Sequence, residues 1–88
     1  MNYNKIENKI EQMLKDRIKQ LNLVKTGKLL NSISVKSDGK GGFDVTAEDY
    51  FTVLDEKNNI SNYVFESAEL TSFITKEVTK QIEEELKK

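Results

Sequence analysis

The residues that could do chemistry in this chain are few, and their types exclude more than they offer. There is no histidine and no cysteine, so the commonest acid–base and thiol catalysts are missing. The same gap removes the usual zinc ligands and any disulfide framework, and neither a metal site nor a cofactor is expected. Adjacent carboxylates occur at Glu48-Asp49 and at Asp55-Glu56. A catalytic pair would need burial to move one of its pKa values, and these neighbours read as solvated surface. Gly27-Lys28 lacks the glycine five residues upstream and the Ser or Thr after the lysine that a phosphate-cradling loop needs; Leu29 follows instead. The run Asp38-Gly39-Lys40-Gly41-Gly42 lies between two strand-like segments, so no helix N-terminus stands behind it to hold a phosphate. The chain is expected not to be an enzyme.

Charge points to surfaces more than to sites. Net charge is −1, but residues 1–40 carry nine Lys/Arg against four Asp/Glu, and residues 41–88 carry five against eleven. Solvated helix faces account for such a split. The sharper reading is a dipolar protomer whose basic face meets the acidic face of its neighbour, a head-to-tail contact that can close into a ring. Lys9, Lys15, Lys19, Lys25, Lys28, Lys36 and Lys40 are candidates for a basic patch. A small nucleic-acid-binding or regulatory protein is therefore the alternative function. Against it stand an acidic pI of about 5.5, a single arginine for reading base edges, and no aromatic residue between the basic positions for stacking.

The elements that must position these residues can be read from the spacing. Eighty-eight residues suit one domain, 1–88, with a modest core. No stretch is long and apolar enough to cross a membrane, and no signal-peptide core is visible, so a soluble protein is expected. Residues 3–22 read as a helix with Tyr3, Ile6, Ile10, Met13, Leu14, Ile18 and Leu21 on one stripe. Arg17 lies inside that stripe. It is expected either to lay its stem on the apolar face with its head in water, or to pair with an acid on a neighbouring element or subunit. Asn22 suits the helix end, and Thr26-Gly27 a structural turn, though Thr26 could equally cap a short helical turn through Asn31.

The period then changes. Residues 32–36 and 43–48 alternate polar and apolar around the glycine loop, which predicts a hairpin. Facing Ser37 with Phe43 pairs Lys36 with Asp44, Val35 with Val45 and Ile33 with Ala47, and puts every apolar residue on one face. Residues 49–56 suit a short helix, Lys57-Asn58-Asn59-Ile60-Ser61 a loop, and residues 62–86 a long helix with Val64, Ala68, Val78, Ile82 and Leu86 inward. On that placement Phe73 and Leu70 form an exposed apolar spot for a partner, whereas a helix start nearer Thr71 or Ser72 would change which residues face inward. The fold class is α+β: a long N-terminal helix, an antiparallel hairpin, a short helix and a long C-terminal helix.

Residues 24–33, VKTGKLLNSI, resemble a stretch of the tail-completion (head–tail joining) proteins of long-tailed bacteriophages. In that family a helix is followed by V-D-T-G-[KR]-L-[RK]-x-S-I, a glycine-containing hairpin, a Y-x-x-x-[VL]-E-x-G-T stretch and a P-F-[LM]-x-x-A helix start. Val24, Thr26, Gly27, Leu29, Ser32 and Ile33 match the first motif. Tyr50, Leu54 and Asp55 are similar to the second, and Phe65 and Ala68 to the third. Lys25 stands where the family has Asp, and Glu56-Lys57 where it has Gly-Thr. The resemblance implies a virion structural protein of the head–tail junction, or neck, made in the bacterial cytoplasm. Its implied partners are its own copies, in an oligomeric ring, and the head-connector and tail-tube proteins on either side. It implies no membrane contact, no specific nucleic-acid binding and no chemistry. The docking candidates are the hairpin tip, Asp38, Gly39, Lys40 and Gly41, and the loop at Lys57, Asn58 and Asn59, both expected to be mobile and to order on assembly. Arg17, Leu70 and Phe73 are the remaining contact candidates.

Overall fold

The computed structural model describes residues 2–23 and 27–87. Its elements are α1 (Asn4–Gln20), α2 (Gly27–Ser32), β1 (Ser34–Ser37), β2 (Phe43–Thr46), α3 (Asp49–Asn58), α4 (Ile60–Phe65) and α5 (Ala68–Leu86). This is the expected α+β class. The body is elongated, with extents of 48 × 21 × 20 Å.

Helix α1 is the spine. Ile6, Ile10, Leu14 and Ile18 recur every four residues and are buried, so one side of α1 carries the core. Its end follows from Asn22, the residue in the left-handed region at φ 57°. Leu23 N–H bonds Ile18 O at 3.1 Å and Asn22 N–H bonds Lys19 O at 3.0 Å, the paired closure that satisfies a helix's last carbonyls. The turn expected at Thr26-Gly27 is revised. Thr26 lies outside the described residues. Gly27 opens α2, and its φ is not in the left-handed region. The short helical turn, weighed above as the other reading, is what forms, and it extends to Ser32.

The two strands pair antiparallel as Ser34–Thr46, Val35–Val45, Lys36–Asp44 and Ser37–Phe43. This is the register that the alternation predicts, because only it keeps Val35, Val45 and Phe43 on the α1 side. Val35 is buried, and Phe43 and Val45 are half-buried. The ring of Phe43 meets Tyr3 edge-on, with 6.2 Å between centroids. Glu7 of α1 fixes the strand end: its Oε2 accepts the Ser37 amide at 2.6 Å.

The second half departs from the expected pattern at two joints. Residues 57–61 are not a loop. Lys57 and Asn58 finish α3, and Ile60 and Ser61 begin α4. Asn59 alone links the two helices, in the left-handed region at φ 54°, a conformation asparagine tolerates better than most residues. The second joint is Ser67. Its backbone is extended, and its hydroxyl accepts the Leu70 amide at 3.2 Å, which makes it the N-cap of α5. The single helix expected over 62–86 is therefore two helices, and the break changes which face of the second one points inward. Leu70 is buried and Phe73 half-buried against the core, while Ala68, Ile82 and Leu86 face out. The exposed apolar spot at Leu70 and Phe73 is thus corrected.

Candidate partner-binding surfaces

The expected contact residues fall into separate regions of the molecule. At the hairpin tip, Asp38, Gly39, Lys40 and Gly41 are exposed, but the tip is tied together. Asp38 Oδ1 accepts the amides of Lys40 at 2.7 Å and Gly42 at 3.0 Å. The Asp38 amide reaches Gly42 O at 3.1 Å, and Ser37 Oγ accepts the Gly39 amide at 3.2 Å. An acidic side chain that collects the amides of its own turn is a local substitute for the strand ladder. These four hydrogen bonds give the expected docking tip a defined shape.

The α3–α4 corner is held from beneath by Asp55. Its two carboxylate oxygens accept the Ser61 amide and the Ser61 hydroxyl, each at 2.7 Å. Asn58 Nδ2 donates to Leu54 O at 2.9 Å, so only Lys57 and Asn59 of this trio are exposed. A neighbouring joint is similar in kind. Ser32 Oγ donates to Leu29 O at 2.7 Å and accepts the Glu48 amide at 3.2 Å. Sequence reasoning missed Glu7, and it named Ser32 and Asp55 as motif matches, without these bracing bonds. Their partners are too far along the chain for spacing to reveal, except for Asp55 and Ser61.

Arg17 follows neither expectation fully. Its guanidinium carbon sits 3.7 Å from the centroid of the Tyr63 ring. Nη1 donates to Gln20 Oε1 at 3.4 Å, and the buried Nε has no hydrogen-bond partner. No ion pair to Arg17 is present among the described residues. A planar cation stacked on a half-exposed aromatic gains from the ring's negative face what it loses in hydration. Met13, Asp16, Glu69 and Val64 complete a shallow pocket of about 210 Å³ around this stack.

The charge split is partly neutralised inside the fold. Lys9 pairs with Glu69 at 3.5 Å and Lys28 with Glu48 at 3.3 Å, each joining the basic front half to the acidic back half. Lys15 pairs with Glu11 at 3.4 Å. Three lysines of the candidate basic patch thus have acidic partners, which leaves less positive surface for either a neighbour or a nucleic acid. Among the described residues no cluster of acidic side chains is placed to hold a metal, and no helix is long and apolar enough to cross a membrane.

An open groove of about 670 Å³ runs between the start of α1 and the second half of α5, with Lys5, Glu77, Lys80, Ile82 and Leu86 among its walls. One end is tied by Asn2, whose amide donates to Gln81 Oε1 at 2.9 Å while its carbonyl accepts Gln81 Nε2 at 2.6 Å. With Tyr3 against Phe43 and Glu7 on Ser37, the hairpin and the last turns of α5 lie at the same end of α1. Arg17 and Tyr63 lie toward the other. No protein-family model, curated protein or solved structure was found to match this chain.

Proposed function

We propose that this chain is a structural adaptor of the bacteriophage head–tail junction, a neck or tail-completion protein that works by shape and surface charge. The observation that carries the reading is the agreement between the order of its parts and the order that the VKTGKLLNSI resemblance implies. A long helix is followed by the short α2 that carries the motif, a hairpin, two short helices and a closing helix. Leu29 and Ile33, two apolar positions of that motif, are buried at 5% and 3% exposure, so the stretch anchors the hairpin to α1. This is an argument from fold and motif by analogy.

The docking candidates fit an assembly role in one further respect. A tip already ordered by Asp38 has little conformational entropy left to lose when a neighbour covers it. The chain would act in several copies, with the hairpin tip facing one neighbour in the virion and the α3–α4 corner available to another. Mass spectrometry of purified particles of the phage that encodes it tests the proposal. The chain should co-purify with the particles in several copies per particle. Its absence from washed, infectious particles would overturn the reading.

A further inference from the structure

The sequence places Asp or Asn directly before Gly once, at Asp38-Gly39, and the fold puts that pair on the exposed hairpin tip. An aspartyl–glycyl pair can rearrange with water as the only other reactant. The Gly39 nitrogen bonds to Asp38 Cγ, a Cγ–O bond breaks, and the carboxyl hydroxyl leaves as water with the amide proton. The product is a cyclic imide. Water then adds to Cγ, which restores aspartate, or to the Asp38 main-chain carbonyl carbon, which breaks that carbon's bond to the Gly39 nitrogen. The second route leaves the chain running through the former side chain as isoaspartate, at unchanged mass. Glycine favours the closure because no Cβ shields its nitrogen.

Both reacting groups are engaged elsewhere in the folded tip. The Gly39 amide donates to Ser37 Oγ at 3.2 Å. Asp38 Oδ1 accepts the amides of Lys40 at 2.7 Å and Gly42 at 3.0 Å, which holds the carboxyl over the turn. Ser37 is itself fixed from α1, since Glu7 Oε2 accepts its amide at 2.6 Å. Gly42 completes this clamp by having no side chain: a Cβ there would stand 2.7 Å from Asp38 Oδ2. That clash is with the far end of a rotatable side chain, and Gly42 is not in the left-handed region. An alanine at this position therefore displaces the carboxyl and leaves the backbone in place.

We propose that Asp38-Gly39 is a site of isoaspartate formation, held off in the folded protein by the Ser37 hydroxyl and the Lys40 and Gly42 amides, and opened when this clamp is lost. The chemistry belongs to the tip itself and is independent of the junction role. The rearrangement adds one carbon to the main chain and moves the free carboxylate onto Cα. The two amides then lose their shared acceptor, and the tip loses its shape. A few exposed hydrogen bonds separate the closed tip from the open one, so protection on the order of tenfold is expected.

The full chain held at neutral pH, folded and in guanidinium chloride, tests this. Isoaspartate is read by isoaspartyl methyltransferase labelling after digestion and mapped by peptide fragmentation. The folded wild type should gain label at Asp38 on the order of tenfold more slowly than the denatured chain. Gly42→Ala and Ser37→Ala, each shown to be folded by its melting transition, should gain it several-fold faster than the folded wild type and match the wild type once denatured. A folded wild type labelled as fast as the denatured chain would overturn the proposal. So would no label at Asp38 in the denatured chain, or either folded variant labelled no faster than the wild type.

Discussion

Gly27 and Gly41 occupy different backbone regions, and the difference is measurable. Gly41 sits at φ +93°, with open space where a Cβ would be, so an alanine there meets strain and no clash. Gly27 has no positive φ, and its nearest neighbour to an added Cβ is Asn31 Nδ2 at 3.9 Å. Gly41→Ala should cost about 1 kcal/mol. Gly27→Ala should leave stability unchanged or raise it by about 0.5 kcal/mol, through the unfolded chain. Thermal melts separate the two, since 1 kcal/mol moves the midpoint of a domain this size by roughly 4–8 °C. Equal losses at both positions would contradict the assigned backbone. The sequence placed Gly27 in a turn because glycine before a strand usually marks one. It also marked Asn22 as a helix end, and with α1 closed there Gly27 is free to begin the short helix that was the other reading.

At the scale of elements, the joints decide the shape. The α3–α4 corner has no proline or glycine, and one left-handed Asn59 makes the bend. Asp55 braces it by accepting two bonds from Ser61, one of them from the hydroxyl. Asp55→Ala should cost about 1–3 kcal/mol, and Ser61→Ala about 1 kcal/mol, since the latter keeps the bond to its amide. The double variant should be no less stable than Asp55→Ala within about 0.5 kcal/mol, because the hydroxyl bond is shared. Full additivity in denaturant titrations would show that Asp55 and Ser61 act separately. The same joints explain what the sequence showed. Helix α1 and the hairpin register were legible because each is written in a local period, four-residue spacing in one and alternation in the other. The inward face of α5 was not, because Ser67 interrupts the helix and restarts its phase. The Ser67-Ala68-Glu69 start is a fair N-cap signal, but apolar periodicity running across it pointed to one continuous helix.

Across the whole molecule, α1 gathers everything else. The hairpin and the end of α5 are tied to its first turns by Ser37–Glu7, Phe43–Tyr3 and Gln81–Asn2, and Tyr63 is tied to its last turns by Arg17. These ties join residues as far as 79 positions apart, so no local pattern could have supplied them. The candidate surfaces were half legible for the same reason. The hairpin tip was found where expected, whereas Leu70 and Phe73 moved inward and the stacked Arg17 was reached only through Tyr63. What the arrangement leaves outside includes a shaped tip and a braced corner. If the chain has the proposed junction role a phage encodes it, and the most direct test is electron microscopy of a lysate of that phage with this gene deleted. The proposal predicts filled heads and finished tails lying apart, which join when the purified chain is added. Normal infectious particles from the deletion would contradict it.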